Sequence, residues 1–382
     1  MLRSIPVFSA VFLVFSLAGC GRSSTNGNNG GSSQTEVLYA GYYTPNGGGA
    51  GGHIVPMRID LNTGTLTSLN PVLGPGNAFT IAADSAAKFL YSSDFNTGAV
   101  YAYSIDGHTG NLTPLNGSPY TSSAASGGNG GPLAIDPAGG FLFYSDAFGN
   151  IATFIRNSDG TLAASAAGGV ADMYQPLALA VDPAGKFLYA SNHSDFSGGG
   201  QISVFSIDPT TGGLTPVGGS PFAFTQTNSE PWGLAVSSDG NFLYTALSNT
   251  NQIAVLSIDR TSGALSLVSG SPYSAGASIP EQLVLSSSGK YLYVGNASVS
   301  SISAFSVSSS GTLALVQSPF TTIAYFALAV DPSGKFLFSS PNTLSNQAVV
   351  WSVDQKTGAL AQAGSIPSVN GAPTALTSIA LP

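Results

Sequence analysis

The sequence predicts an all-β fold: a β-propeller of seven four-stranded antiparallel blades, closed into a ring by the C-terminal strand. Three observations predict this fold. The composition is poor in charge and rich in glycine, one phrase recurs along most of the chain, and each end of the repeat region carries only part of one copy.

The composition favours short strands and tight turns. The chain has 382 residues, of which 43% are hydrophobic and only 7% charged, with 48 glycines and 23 prolines. Beyond the N-terminal segment no apolar run reaches the ~18 residues that a membrane-spanning helix needs. The net charge of −8 argues against nucleic acid as a partner, because such proteins present a basic surface.

The first 35 residues predict export and anchoring. Arg3 precedes an apolar segment, Ile5 to Leu17, and residues 1–19 have the pattern of a cleaved signal peptide. The following Cys20 makes the segment resemble a bacterial lipoprotein signal, which implies that Cys20 is lipidated and becomes the mature N-terminus. An ordinary secretory signal is the alternative. Residues 20–35 form a Gly/Ser/Asn-rich tether, so we expect a lipid anchor in the cell envelope, on its periplasmic or outer-membrane face.

One phrase recurs six times at intervals of 45 (331 − 286) to 55 (237 − 182) residues. An apolar strand meets an Asp-Pro-x-Gly-like turn, a "FLY"-like strand follows, and a variable loop leads to a third strand such as "GQISVFSID". A short turn with glycine then precedes a leucine. Four short strands in such a period are typical of a propeller blade. The equivalent turn positions are Asp84, Asp136, Asp182, Ser237, Ser286 and Asp331.

The two ends of the repeat region complete one blade. "VLYAGYY" from Val37 matches a second strand with no first strand before it, whereas "LTSIALP" near the C-terminus matches a first strand with no second strand after it. Pairing the two removes an open sheet edge and places the propeller in residues 36–382. The second strands then number seven, and they contain Leu38, Leu90, Leu142, Leu188, Leu243, Leu292 and Leu337.

The connections fall into two classes. The turns between first and second strands and between third and fourth strands are short and uniform. The loops between second and third strands and between blades are long and irregular. Because successive strands run in opposite directions, both irregular classes lie on the same face. Binding is expected there, around the channel mouth. Its polar, acidic and aromatic rim suits a sugar or another small polar ligand, although these side chains could simply keep the mouth hydrated. The predicted ligand-binding residues are Tyr42, Asp94, Asp146, Gln175, Asn192, Glu230, Trp232, Asn296 and Tyr325.

Two residues are candidates for acid–base chemistry. His193 follows a second strand, and its pKa range suits a general base. Glu281 opens a first strand and is one of only three glutamates. No HExxH, Cys/His cluster, GxSxG or Walker loop occurs, so the sequence predicts no metal or other cofactor, with calcium or magnesium at Asp94 and Asp146 left open.

The repeated phrase "DPxGKFLY…N…G.ISVFSID..TG.LTPV.GSPF" resembles the seven-bladed lactonase-like family, which includes bacterial 6-phosphogluconolactonases and fungal carboxymuconate cycloisomerases. The resemblance covers about Glu36 to Pro382. It implies a propeller that acts on lactones without a required metal, through His, Arg and Glu side chains at the channel mouth. Glu281 falls where the family often has a glutamate that opens a first strand.

The family's basic residues do not match this sequence. Its "GPRH", "PHAH", "SNRG" and "PR" stretches align here with Glu230-Pro231-Trp232-Gly233, Pro176-Leu177-Ala178-Leu179, Gly295-Asn296-Ala297-Ser298 and Ala324-Tyr325. These replacements remove groups that would stabilise negative charge developing on a lactone carbonyl.

Two functions are therefore open. The first is a non-catalytic, membrane-anchored monomer that binds a glycan, peptide or partner protein on its irregular face. The alternative is a lactonase with a rewired site, in which His193 or Glu281 acts as the base. The residues present do not decide whether the protein is an enzyme.

Overall fold

Seven antiparallel sheets are arranged as the blades of one propeller, as the sequence predicts. The structure is a computed structural model. It describes Leu13–Val14 and residues 35–42, 52–123, 125, 129–171, 175–193, 200–226, 228–298, 301–321, 325–341, 348–367 and 373–382. Each blade has four main strands, called inner, second, third and outer from the channel outwards. Each inner strand contacts the inner strands of both neighbouring blades, so the ring is closed.

The first four blades follow this plan, with the inner strand of blade 1 taken from the end of the chain. Blade 1 comprises Pro373–Ala380, Glu36–Tyr42, His53–Ile59 and Leu66–Ser68. Blade 2 comprises Ala78–Ala83, Phe89–Asp94, Val100–Ile105 and Leu112–Pro114. Blade 3 comprises Gly130–Ile135, Phe141–Asp146, Asn150–Arg156 and Leu162–Ala171. Blade 4 comprises Gln175–Val181, Phe187–His193, Gln201–Ile207 and Leu214–Pro216.

The last three blades repeat the order, and a few short elements supplement the ring. Blade 5 comprises Pro231–Val236, Phe242–Leu247, Gln252–Ile258 and Leu265–Leu267. Blade 6 comprises Pro280–Leu285, Tyr291–Asn296, Ser301–Val307 and Leu313–Thr321. Blade 7 comprises Tyr325–Val330, Phe336–Pro341, Val349–Val353 and Leu360–Ser365. The short elements are the strands Leu13–Val14, Val72–Leu73, Phe222–Ala223 and Tyr273–Ser274 and the 3-10 turn Ser248–Thr250.

Ring closure joins the two ends of the propeller region. Glu36–Tyr42 pairs antiparallel with Pro373–Ala380, in a register that runs from Glu36 opposite Ala380 to Tyr42 opposite Pro373. The predicted closing strand is confirmed. The two-residue strand Leu13–Val14 also pairs in parallel with Thr80 and Ile81 of the inner strand of blade 2.

The core lies between blades. Each of seven clusters of buried side chains joins two neighbouring blades, and together they cover all seven blade interfaces. Because alternate residues of a strand face opposite sides, Phe187 and Tyr189 pack towards blade 5 whereas Leu188 packs towards blade 3. Burial of apolar area between sheets therefore holds the ring together.

The repeated Asp-Pro-x-Gly turns have a structural role. In blade 4 the Oδ1 atom of Asp182 accepts hydrogen bonds from the backbone N–H groups of Lys186 at 2.6 Å and Phe187 at 2.7 Å. Asp84, Asp136 and Asp331 accept equivalent bonds from the first residue of their second strands. In blades 5 and 6 the hydroxyls of Ser237 and Ser286 take that place. The turn is thus tied to the strand that it precedes.

A glycine in each third-to-outer turn packs against the preceding blade. At Gly358, whose φ is 75°, an added Cβ would lie 2.2 Å from Cδ1 of Tyr291 in blade 6. Only glycine combines this backbone conformation with so close an approach. The same contact recurs around the ring between Gly64 and Phe336, Gly110 and Val37, Gly160 and Phe89, Gly212 and Phe141, Gly263 and Phe187, and Gly311 and Phe242. The recurrent glycine before a leucine is therefore a packing device.

The two ends of the ring differ. The turn face carries the inner-to-second and third-to-outer turns, and the loop face carries the second-to-third and blade-to-blade connections. Hydrogen bonds that run from Phe95 N to Asn77 O and from Ala147 N to Asn129 O join the two kinds of loop, so both lie on the loop face. Within the residues that the structure covers, no helix has the length and apolarity required to span a bilayer.

Candidate functional site at the loop-face mouth

Every inner strand is irregular where it begins at the loop face. In each blade, the first residue pair between the inner strand and the end of the second strand is followed by a shift in register. In blade 6, for example, Pro280 pairs with Asn296 and Gln282 pairs with the next residue, Gly295, so that the residue between Pro280 and Gln282 has no partner. Such a bulge leaves one residue unpaired and re-aims its side chain. We call the residue after that pair the mouth position. Its occupants from blade 1 to blade 7 are Thr374, Phe79, Gly131, Leu177, Trp232, Glu281 and Phe326.

Several mouth positions hold side chains that are buried, stacked or hydrogen-bonded within the protein. Phe79 is buried and stacks on Phe95, with ring centroids 5.9 Å apart. Leu177 is buried, and the hydroxyl of Thr374 donates to the carbonyl of Ala78 at 2.9 Å. Trp232 and Glu281, in the neighbouring blades 5 and 6, are half-buried. They are therefore the mouth-position side chains that combine polar groups with access to a ligand.

The carboxyl group of Glu281 has an unusual environment. Burial raises its pKa from 4.5 to about 8, since a low-dielectric surrounding disfavours the charged form. Among the described residues no hydrogen bond or ion pair to this carboxyl is recorded. Perturbed carboxyls in clefts are typical of functional sites. Glu281 is therefore mostly protonated at pH 7 and ionises near pH 8.

The same two inner strands, those of blades 5 and 6, also carry two buried N–H donors. The Nε1 atom of Trp232 and the Nε2 atom of Gln282 have no hydrogen-bond partner within the described part of the chain, and Gln282 is only 3% exposed. A buried donor without a partner costs about 1–3 kcal/mol, so stability does not explain either group. We call Trp232, Glu281 and Gln282 the mouth cluster.

Backbone contacts bring the members of the mouth cluster together. A Cβ added at Gly233, which follows Trp232, would lie 2.8 Å from the carbonyl oxygen of Glu281 and 3.4 Å from Cα of Gln282. The inner strands of blades 5 and 6 therefore touch at this level. The sequence places Gln282 on the rim of the mouth, but Gln282 was not among the residues predicted to bind a ligand. Gln282 stands out once the blades are aligned, because it is the one large polar side chain at the position that follows the mouth position. The other inner strands have small or short side chains at this position: Ala375, Thr80, Pro132, Ala178, Gly233 and Ala327.

The chain enters both strands of this cluster in a strained conformation. Glu230 and Ile279, directly before Pro231 and Pro280, have φ values of 36° and 55°. Positive φ is rare outside glycine, above all for a β-branched residue. The amide of Ile279 is held by Oδ1 of Asn251 at 2.8 Å. Backbone strain of this kind clusters at functional sites, which agrees with a site between blades 5 and 6.

The predicted carboxylates Asp94 and Asp146 shape loops. The Oδ1 atom of Asp94 accepts hydrogen bonds from the amides of Asn77 at 3.3 Å and Asn96 at 3.0 Å. The Oδ1 atom of Asp146 accepts from the amides of Phe148 and Asn150, both at 2.9 Å. Both residues are buried. Among the described residues no group of three or more His, Cys, Asp or Glu side chains is arranged to hold a metal ion.

Three further predicted residues are buried and bonded within the protein. The hydroxyl of Tyr42 donates to the carbonyl of Pro367 at 3.0 Å, and burial raises the pKa of that phenol. The Nδ2 atoms of Asn192 and Asn296 donate to the hydroxyls of Ser203 at 2.7 Å and Ser303 at 3.0 Å. By contrast, Gln175 is exposed and Glu230 is half-buried. The access that a ligand requires is thus concentrated at Gln175, Glu230, Trp232 and Glu281.

The side chains of His193 and Tyr325 lie outside the described residues, as does the whole of Cys20, and their roles stay predictions. The backbone places His193 opposite Gln175 in blade 4, two blades away from Glu281. Tyr325 pairs with Pro341, as Pro231 pairs with Leu247. By this register Phe326, and not Tyr325, occupies the mouth position of blade 7.

A closed seven-bladed ring with a carboxyl group at its mouth agrees with the family resemblance. The chain belongs to the family described as "Lactonase, 7-bladed beta-propeller", which it matches over residues 37–176, 164–280 and 271–376. It is 24% identical over 226 residues to a 6-phosphogluconolactonase of Bacillus subtilis (strain 168). That match covers 57% of this chain and 63% of the relative, so the chain spans less than two thirds of the relative's length.

Solved structures share the fold. A protein of Bacteroides fragilis, named provisionally as a 6-phosphogluconolactonase, superposes with a TM-score of 0.78 at 22% identity, over 92% of this chain and 100% of that one. A periplasmic gluconolactonase of Pseudomonas aeruginosa gives a TM-score of 0.77 at 21% identity, over 91% and 100%. At these identities the likeness establishes the architecture alone.

Proposed function

We propose that the protein is a lactone hydrolase, a carboxylic ester hydrolase that opens a sugar lactone at the loop-face mouth. The observation that carries the proposal is the mouth cluster, in which a carboxyl with a raised pKa and two unpaired N–H donors belong to adjacent inner strands whose backbones touch. Family membership supports it, and the comparisons favour it over the non-catalytic binding interpretation. Glu281 is also where the family resemblance places a glutamate.

The chemistry requires a base and a site for negative charge. In its ionised form the carboxylate of Glu281 takes a proton from water, and the water oxygen bonds to the lactone carbonyl carbon. The indole N–H of the half-buried Trp232 is the candidate donor to the carbonyl oxygen as it becomes negatively charged, whereas the amide of Gln282, which is only 3% exposed, lies behind the surface that a substrate reaches. The ring C–O bond then breaks, and the proton on Glu281 passes to the departing ring oxygen. The product is the open-chain hydroxy acid.

Glu281→Gln tests this assignment. The variant keeps the shape of the side chain but cannot accept a proton, so we expect kcat for δ-gluconolactone to fall by about 100-fold or more. Initial rates above the spontaneous hydrolysis of the lactone are measured by titrating the acid released. Because the base is the ionised form and its pKa is about 8, the wild-type rate should rise with pH up to about 8 and then level off.

The matched control is Asp259→Asn, which removes a carboxylate from an exposed third-to-outer turn on the opposite face. Its rate should stay close to that of the wild type. A Glu281→Gln variant with unchanged rate and pH profile would exclude this base and leave His193 as the remaining candidate. An inactive wild-type protein that binds glycans or peptides through the loop face would favour the binding interpretation.

A further inference from the structure

The strand that carries Glu281 enters blade 6 through a residue in an unfavourable backbone conformation. Ile279 has a φ of 55°, which is rare for a β-branched residue, and the Pro280 that follows it favours an extended conformation at this position. The side chain of Ile279 is 38% exposed, so burial of apolar surface does little to offset the strain. Strained backbone persists only where surrounding contacts fix it, and these contacts must therefore act on the peptide groups of Ile279.

Two hydrogen bonds hold Ile279 from opposite sides. Its carbonyl oxygen accepts from the backbone N–H of Ala297, in the same blade, at 2.8 Å. This bond is part of the common plan of the blades. It recurs between Phe95 and Asn77, Ala147 and Asn129, and Ser248 and Glu230. The N–H of Ile279 donates to the Oδ1 atom of Asn251, in the second-to-third loop of blade 5, also at 2.8 Å. That second bond ties the entry of blade 6 to the preceding blade.

The backbone of Asn251 does not require an asparagine. Its carbonyl oxygen accepts from the N–H of Ala275 at 3.0 Å. Gly52 and Gly200, which also come directly before a third strand, accept equivalent bonds in blades 1 and 4. Asn251 has a φ of 56°, a conformation that glycine adopts without steric cost. Glycine would therefore serve the backbone of this loop, and the recorded contribution of the asparagine side chain is the bond to Ile279.

Resting on the lactone hydrolysis proposed above, we infer that Asn251 is a positioning residue, which fixes the entry of blade 6 so that Glu281 stays at the mouth position. Glu281 lies two residues after Ile279, in the bulge between the paired residues Pro280 and Gln282. Because the bulge residue has no partner in the strand pairing, the backbone on either side sets its direction. Without the Asn251 bond, Ile279 relaxes towards an extended conformation and turns the Glu281 side chain towards water.

Two substitutions at Asn251 test the inference. Asn251→Gly allows the left-handed conformation and removes the acceptor, whereas Asn251→Asp keeps an acceptor oxygen at the same place. For Asn251→Gly we expect the limiting kcat for δ-gluconolactone at high pH to fall by about tenfold or more, since a small displacement of a catalytic group costs much of the rate. KM should change less than kcat, and Asn251→Asp should restore most of the lost kcat. Rates are measured above spontaneous hydrolysis, as for Glu281→Gln.

The pKa of Glu281 gives a second readout that does not depend on catalysis. The chain has only three glutamates, so NMR of isotope-labelled glutamate carboxyl groups follows three signals, and Glu281→Gln assigns the relevant one. Burial raises this pKa from 4.5 to about 8, so a carboxyl turned towards water should titrate nearer to 4.5 in Asn251→Gly. The midpoint of the pH–rate profile should move down with it. A loss of global stability alone would lower the amount of folded protein and move neither value.

Asn228→Gly is the matched control. Asn228 is also exposed, has a φ of 60° and lies in the loop that leads into blade 5. Within the described residues its side chain has no recorded hydrogen bond. The substitution therefore makes the same change in a backbone of the same kind, and kcat and the pKa of Glu281 should stay close to those of the wild type.

The outcomes separate the inference from the proposed function. An unchanged kcat and an unmoved Glu281 pKa in Asn251→Gly would overturn the inference and leave the hydrolase assignment in place. So would a fall in kcat that moves neither the pKa nor the pH–rate profile. Equal effects of Asn251→Gly and Asn228→Gly would also overturn the inference, because loop flexibility and not the bond to Ile279 would then be the cause. A lowered Glu281 pKa in a protein whose wild type opens no lactone would support the role of Asn251 in holding Glu281 and overturn the proposed function.

Discussion

The third-to-outer turns and the mouth cluster use their polar residues in different ways. At the turn face, Asp60, Asp106, Asp208, Asp259 and Asp354 accept backbone hydrogen bonds that lower their pKa values. At the loop face, Glu281 has a raised pKa and no recorded partner, and Gln282 buries an unpaired amide. Residues that recur in most blades serve the fold, whereas residues that occur once, at a position that is small or apolar elsewhere, indicate function.

This contrast predicts that turn-face substitutions reduce stability and that substitutions in the mouth cluster reduce activity. The largest effect is expected at Arg156. The Nη1 atom of Arg156 lies 3.1 Å from Oδ2 of the buried Asp84 in the neighbouring blade. The guanidinium group also lies over two aromatic rings of that blade, 5.6 Å from the centroid of Phe89 and 5.9 Å from that of Tyr91. Arg156→Met leaves a buried carboxylate without its cation, which should lower the free energy of unfolding by about 3–5 kcal/mol.

Chemical denaturation measures this loss. Arg58→Met is the matched control, because Arg58 is exposed near the turn face and should change stability by no more than about 0.5 kcal/mol. If the two variants lost the same stability, the ion pair between blades 2 and 3 would not hold that interface. Adding Asp84→Asn to Arg156→Met should restore part of the loss, since no buried charge is then left unpaired.

A smaller loss is expected from Gly358→Ala. The new Cβ would lie 2.2 Å from the Tyr291 ring, and the φ of 75° disfavours any side chain, so we expect a loss of about 2–4 kcal/mol. Gly168→Ala separates the two causes. Gly168 has a φ of 73° but no atom within 4 Å of an added Cβ, so only the conformational cost of about 1–2 kcal/mol applies. Equal losses, measured by denaturation, would refute the packing role of the turn glycines.

The last effect is a gradual one, a pH slope at the junction of blades 7 and 1. Burial and the neighbouring Asp331 raise the pKa of Glu36 from 4.5 to about 8, although Lys335 opposes the shift. The folded protein then holds a proton that the unfolded chain releases. The stabilisation is therefore fully present below pH 4.5 and is lost as pH rises to about 8.

Glu36→Gln should flatten this dependence. The wild-type free energy of unfolding should fall by at most about 1.4 kcal/mol per pH unit from this one proton, and the variant should lack that fall. Denaturation midpoints measured across the same pH range provide the comparison. A variant with the wild-type slope would show that another group binds the proton.

The fold could be predicted because the sequence pattern of a blade recurs along the chain. Each blade repeats the same turn and strand pattern, so an ambiguous strand in one copy can be assigned by comparison with the other copies. The segment "LTSIALP" could be assigned to blade 1 because that blade lacked a first strand. The site could be predicted only in part. The scarcity of glutamate pointed to Glu281, but Asp94 and Asp146 also follow strands, and sequence cannot distinguish a carboxylate that holds a loop from one that contacts a ligand.

The one-residue bulge explains the remaining differences. It leaves no mark in the hydrophobic pattern, yet it decides which side chain takes the mouth position. Phe326 and not Tyr325 is therefore equivalent to Trp232 and Glu281. Gln282 could be recognised as unusual only from the register, which aligns it with the alanines of blades 1, 4 and 7.

The pairing of Pro373–Ala380 with Glu36–Tyr42 also orders events in time. A ribosome makes the inner strand of blade 1 after every other strand, although its partner was among the first to emerge. Until then the nascent chain presents an open backbone edge that invites misassembly with other chains. The ring therefore closes only once Pro373–Ala380 is available, however many blades have formed by then.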